Sequence, residues 1–109
     1  MKTRFRVVVP PSVKKDLKEI VEYHYEVNKT YSKRLFNKII ERIRELETFP
    51  DKGRIVPELR DHNIVDYKEL IEEYFRIVYR VFDEEVLLIS IIDGRRNVEE
   101  VLIRKLQRK

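Results

Sequence analysis

The sequence predicts an α+β domain in which an N-terminal strand precedes an α-helical hairpin packed on an antiparallel β-sheet, in the order β-α-α-β-β-β-α. Two amphipathic stretches of helical period lie side by side in the first half, and three stretches of strand period follow closely in the second. From the 109 residues, 42% of them hydrophobic, we expect a single domain over residues 1–109. Because only 2 glycines and 4 prolines occur, the 40% of charged residues do not indicate disorder.

The first half of the chain predicts one strand and two helices. Apolar residues alternate between Phe5 and Val9, the period of a half-buried strand, and Pro10-Pro11 ends the strand. From Val13 to about Glu26, apolar side chains recur at helical spacing. A second helical stripe, closed by Pro50, consists of Leu35, Ile39, Ile40, Ile43 and Leu46. Since only residues 28–30 separate the two helices, they form an antiparallel hairpin.

The second half predicts a loop, three strands and a terminal helix. Residues 55–64 show no clear period, and Pro57 argues against a central strand, so we expect a loop there. Strand patterns cover residues 65–71, 74–82 and 86–92, and the short gaps between them allow only antiparallel hairpins. After Asp93-Gly94, a terminal helix is indicated by Val98, Val101, Leu102 and Leu106.

The strand at residues 74–82 carries the most informative alternation. Its hairpin-facing side chains are expected to be Phe75, Ile77, Tyr79 and Val81. Arg76 and Arg80 then point to the other, open face, where guanidinium groups can bind carboxylates or phosphates bidentately. The next strand is apolar on both faces, so its outer side needs cover from the terminal helix or from a partner.

Charge and composition exclude several kinds of functional site and indicate where the net charge lies. Residues 94–109 contain six basic and two acidic residues, so the basic terminal helix or tail, about residues 95–109, holds the whole net charge of +4. Zero cysteines and 2 histidines exclude thiolate zinc sites and cysteine nucleophiles, and we expect neither a metal nor a cofactor. No stretch of the sequence is typical of a signal peptide or a membrane span, and we expect a cytoplasmic protein without membrane contact.

Five motifs occur in the order that is typical of one protein family. They are the first-helix segment Val13–Ile20, the segment Phe49–Leu59 with its Gly-Arg-x-Val-Pro-Glu-Leu run, Tyr67–Leu70, Tyr74–Val81, and Ile92–Arg96. With these five motifs in this order, the chain resembles the ParE/RelE superfamily, also called plasmid stabilisation proteins. Its members are toxins of type II toxin–antitoxin systems. The resemblance implies a toxin held inactive by an antitoxin encoded nearby, as a dimer or a toxin–antitoxin hetero-oligomer.

The long hairpin and the Gly-Arg-x-Val-Pro-Glu-Leu run are more similar to the ParE branch, known for inhibiting DNA gyrase. This resemblance implies action by protein–protein contact, with the antitoxin covering the Arg-bearing sheet face and the hairpin groove. The candidate binding residues are Arg76, Arg80, Arg95 and Arg96. Arg95 and Arg96 follow a glycine turn at a strand end, where exposed side chains commonly serve function.

The alternative is a RelE-like mRNA interferase, a ribosome-dependent endoribonuclease that needs no metal. By resemblance, its catalytic residues are Arg76, Arg96 and Lys68. A second strand lysine is missing, since its place falls at or near Leu70, and Leu102 stands near the place of the usual terminal tyrosine. Whether the chain is an enzyme is therefore left open. A second alternative is a basic nucleic-acid-binding domain without toxicity.

Overall fold

The computed structural model describes residues 4–107 and confirms the predicted α+β class. Arg108 and Lys109, the end of the predicted basic tail, lie outside the described residues. The elements are, in chain order, β1 Arg6–Val8, α1 Pro11–Val27, α2 Lys29–Glu45, β2 Arg54–Ile55, α3 Pro57–Arg60, β3 Tyr67–Glu72, β4 Phe75–Phe82, β5 Glu85–Asp93 and α4 Val98–Gln107.

The sheet has five strands in the order β1-β5-β4-β3-β2. Strands β3, β4 and β5 pair antiparallel, as predicted for the closely spaced strand patterns. The short strand β2, which the sequence did not predict, also pairs antiparallel with β3. Strand β1 instead pairs parallel with β5, so the sheet is mixed and the expectation of a wholly antiparallel sheet was wrong on this point. Short gaps dictate antiparallel pairing only between successive strands, whereas a whole helical hairpin and three strands separate β1 from β5.

The hairpin is tighter than predicted, because Asn28 alone separates α1 from α2. Asn28 adopts an extended backbone conformation and ends α1, and its side chain accepts a hydrogen bond from the Tyr31 N–H at 3.0 Å to cap α2. The Ser32 hydroxyl donates to the Val21 carbonyl at 2.7 Å and joins the two helices. α1 begins with Pro11 at its first position, where the missing N–H is not needed.

Each face of the sheet has its own apolar cluster. The hairpin face holds Phe75, Ile77 and Tyr79 in the main cluster, which confirms the predicted direction of these side chains. On the other face, Val78 and Ile92 pack against Val56, Leu59, Val98 and Leu102, which come from α4 and the segment around α3. The terminal helix therefore supplies the cover that the outer side of the sheet was expected to need.

Residues 55–64 are more ordered than the predicted loop. They include Ile55 of β2 and the one-turn helix α3, which starts at Pro57. Elements this short are below the length at which periodicity can be recognised.

The turn before β2 depends on Gly53. Its N–H donates to the Tyr79 hydroxyl at 2.9 Å, and this hydroxyl donates to the Pro50 carbonyl at 2.7 Å. A Cβ at Gly53 would lie 2.5 Å from the Tyr79 oxygen and 2.6 Å from the Glu69 carbonyl oxygen, so close approach demands glycine here. Across residues 4–107, no helix is long and apolar enough to cross a membrane.

Candidate functional site

The guanidinium of Arg76 is held between two carboxylates. Its Nε and Nη2 donate to Glu69 at 2.7 and 2.9 Å, while Nη1 and Nη2 donate to Glu58 at 2.8 and 2.6 Å. Arg76 is only 9% exposed, so the expectation that it lies on an open face was wrong. The cover comes from α3, which carries Glu58 over the sheet and occupies the place that the sequence assigned to a loop.

The charges around Arg76 balance one another. Arg54 donates to Glu69 at 2.8 Å, so two guanidinium groups face two carboxylates. Hydrogen bonds from Arg76 lower the pKa of Glu58, and hydrogen bonds to Glu58 and Glu69 raise the pKa of Arg76. The cluster formed by Arg54, Glu58, Glu69 and Arg76, here called the charge cluster, is neutral and clamps α3 onto the sheet.

Arg80 has different surroundings from Arg76. It is more exposed, and its guanidinium carbon lies 5.6 Å from the Tyr67 ring centroid and 5.8 Å from that of Phe82. Its nearest carboxylate is Asp66 at 3.9 Å, which is beyond hydrogen-bond distance. Of the two strand arginines, Arg80 is therefore the accessible one.

Arg95 and Arg96 lie at the end of β5, as expected. Arg95 donates from Nε and Nη2 to the Asp93 carboxylate at 3.0 and 2.7 Å and stacks on the Tyr74 ring at 4.0 Å. This contact lowers the pKa of Asp93 and uses much of the donor capacity of Arg95. The Arg96 backbone N–H donates to the Asp93 carbonyl at 3.0 Å, and its side chain is exposed.

Lys68 is not brought together with Arg76. It lies opposite Tyr79 in the β3–β4 register, and its neighbour Glu69 contacts Arg76, so Lys68 and Arg76 point to opposite faces of the sheet. The Lys68 ammonium lies 3.5 Å from Asp51. Leu70 and Leu102 are buried in separate apolar clusters.

An apolar groove runs along the helical hairpin. It has a volume of about 600 Å³. Its apolar lining consists of Val9, Val13, Leu17, Val21, Phe36, Ile40, Ile43 and Ile91. Lys14, Lys18 and Glu22 also line it, and Phe36 remains 40% exposed. The amphipathic stripes of both helices had predicted a core-facing surface, and part of that surface is left open as this groove.

Histidine and acidic residues do not assemble into a metal centre in the described part of the chain. His24 packs edge-on against Tyr23, Tyr31 and Phe75, with centroid distances of 5.1, 5.4 and 5.6 Å. His24 is therefore a histidine of α1 that packs against aromatic rings of the hairpin and the sheet. Glu58 is the site residue that sequence reasoning missed, because it lies on the short helix that carried no periodic signal.

A family model decides the relationship that the motifs suggested. Residues 7–98 match the family described as the ParE toxin of the type II toxin–antitoxin system parDE. The chain belongs to this family. A comparison with curated proteins finds no match.

Two solved structures share the fold of this ParE-family chain. A chain from the chromosomal ParDE system of P. aeruginosa is 19% identical, with a TM-score of 0.64 over 84% of this chain and 97% of that one. A chain of the toxin–antitoxin complex RelBE2 from Mycobacterium tuberculosis is 15% identical, with a TM-score of 0.61 over 84% and 92%. The similarity to both confirms the ParE/RelE fold and favours neither branch by a wide margin.

Proposed function

We propose that this ParE-family chain blocks growth by protein–protein contact with DNA gyrase, the target of the ParE branch, and that an antitoxin neutralises it. The antitoxin would lay an amphipathic helix in the hairpin groove. The observation that carries the antitoxin part of the proposal is the groove itself, an open apolar surface along two helices of a small domain. Gyrase as the target is proposed from the match to the ParE toxin family. Exposed apolar patches of this kind mark interaction sites.

The charges at the groove favour an acidic partner helix. Lys14 and Lys18 line it from α1, one turn apart, with Glu22 as the single acidic lining residue. An amphipathic helix could bury its apolar side chains against Leu17 and Val21 and place carboxylates near the two lysines.

The state of Arg76 supports protein contact over RNA cleavage. A metal-free ribonuclease needs a cation on the phosphate and a group that accepts the 2′-OH proton. Arg76 donates to two carboxylates, Lys68 points to the other face, and the pKa of Glu58 is lowered, which weakens it as a proton acceptor. The charge pairs of Arg76 and Arg95 likewise occupy two of the four candidate binding arginines, which weakens a nucleic-acid-binding role for this set.

The groove is tested with Ile40→Glu, which places a charge in the apolar lining, and with Lys38→Glu as a control on an exposed part of α2. Both proteins are titrated with the antitoxin encoded beside this gene. We expect Ile40→Glu to lower the affinity at least about 30-fold, as loss of a buried anchor does, and Lys38→Glu to bind like the wild type. Equal binding by both variants would refute the groove as the antitoxin site.

The ribonuclease alternative has its own test. The protein is added to programmed ribosomes carrying a defined mRNA, with Arg96→Ala as a control, and the 5′ ends of the message are mapped. We expect intact message in both samples. Codon-positioned cuts that disappear in the control would make the chain an endoribonuclease.

A further inference from the structure

We infer that Arg80, together with the flanking rings of Tyr67 and Phe82, is an anchor site for one carboxylate side chain of the antitoxin. The inference rests on the proposed function and adds a second contact to it, outside the hairpin groove. Arg80 and Tyr67 are opposite each other in the β3–β4 register, and Phe82 is two residues along β4. The three side chains therefore share one face of the sheet.

The two rings hold the guanidinium in place. The Arg80 guanidinium carbon lies 5.6 and 5.8 Å from the two ring centroids, within the range of cation–π contacts. Tyr67 itself packs against the apolar cluster under α4, which anchors this side of the arrangement. A guanidinium that is already oriented loses little conformational freedom when it binds a planar acceptor.

The donors of Arg80 are free. Its side chain forms no hydrogen bond with any residue from 4 to 107, and the 3.9 Å contact with Asp66 involves a carboxylate that is itself 63% exposed. By contrast, Arg76 on the same strand makes four hydrogen bonds to carboxylates. The Arg80 guanidinium is therefore able to donate two parallel hydrogen bonds to one carboxylate.

The surroundings of Arg80 favour a protein carboxylate over a polyphosphate chain. A cavity of about 310 Å³ beside it is lined by Lys68 and Arg80, by Asp51 and Asp66, and by Val65 and Val81. The charges of these two cations and two anions cancel, whereas a site that binds nucleic acid needs several uncompensated cations along the phosphate backbone. The exposed side chains of Val65 and Phe82 offer apolar contact beside the carboxylate, a combination typical of protein interfaces.

The inference is tested on the full chain with Arg80→Ala, Arg80→Lys and a control, Arg34→Ala. Arg34 also contacts an aromatic ring, that of Tyr31 with a distance of 5.6 Å to the centroid, but it lies on the hairpin. Affinity for the antitoxin is measured by calorimetry at low and high salt, and thermal unfolding confirms that each variant folds. We expect Arg80→Ala to weaken binding roughly 10- to 100-fold, Arg80→Lys to restore it in part, and Arg34→Ala to bind like the wild type.

A double-mutant cycle identifies the antitoxin group. Each acidic residue of the antitoxin is changed in turn to its amide, and the affinity of each variant is measured with the wild-type chain and with Arg80→Ala. We expect one antitoxin position whose change weakens binding to the wild-type chain but not to Arg80→Ala. If folded Arg80→Ala binds within twofold of the wild type, the inference is overturned. If it keeps antitoxin binding but loses gyrase inhibition, the site belongs to the target and the inference is also overturned. A wild-type chain that does not bind the antitoxin would refute the proposed function itself.

Discussion

Replacing Arg76 with alanine tests the charge cluster. The substitution leaves Glu69, whose side chain is fully buried, with Arg54 as its remaining partner, and releases Glu58 from the sheet. Removing one partner of a buried ion pair costs about 3–5 kcal/mol. Because Arg54 stays to compensate part of the Glu69 charge, we expect the lower end, about 3 kcal/mol of unfolding free energy. At roughly 4 °C per kcal/mol, the melting temperature should fall by about 12 °C.

The assay is urea unfolding of Arg76→Ala at pH 7, with Arg80→Ala as the matched control on the same strand. Arg80 makes no hydrogen bond to the described residues and has only its two ring contacts to lose, so its loss should cost about 1 kcal/mol or less. A free energy of unfolding for Arg76→Ala within about 1 kcal/mol of the wild type would refute the structural role of the charge cluster. Arg76 would then contribute little to stability and could contact a phosphate, so the ribonuclease alternative would gain support.

Further predictions follow from three individual contacts. Gly53→Ala should lower the free energy of unfolding by about 2 kcal/mol or more, because its Cβ would overlap the Tyr79 hydroxyl. Tyr79→Phe should lower it by about 1–3 kcal/mol, because the hydrogen bonds of this hydroxyl to Gly53 and Pro50 are lost. Chemical denaturation measures both. Asp16→Ala should speed hydrogen exchange at the Ile91 amide, which donates to the Asp16 carboxylate at 3.1 Å, and unchanged protection would contradict that contact. The lowered pKa of Asp93 stabilises the fold above the carboxyl's unfolded pKa, and this contribution is lost as pH falls through the lower folded value. Stability of Asp93→Asn, followed by urea unfolding, should therefore depend less on pH in the acid range than that of the wild type.

The strand alternation of β4 was enough to predict which side chains face the hairpin. Phe75, Ile77 and Tyr79 lie there because period-two patterning is a local property of the backbone. The same pattern could not predict that Arg76 is buried and Arg80 accessible, since this depends on α3, a four-residue helix that sequence periodicity does not reveal. The pairing of β1 with β5 was missed for a related reason: contacts between distant segments leave no local signal.

The site followed the same division. Lys68, Arg95 and Arg96 lie on the expected strand and turn. The Asp51 partner of Lys68 and the Tyr74 ring beneath Arg95 come from distant segments of the chain, whereas the Asp93 partner of Arg95 is only two residues away. The open part of the hairpin was foreseen only as a groove implied by family resemblance, because helical stripes predict which face is apolar and not how much of it the core covers.

The most direct measurement of the central claim is DNA gyrase supercoiling in the presence of the purified chain. We expect inhibition that increases with toxin concentration and is reversed by equimolar antitoxin, while Ile40→Glu escapes that reversal. Full supercoiling at a large excess of folded toxin would contradict action through gyrase.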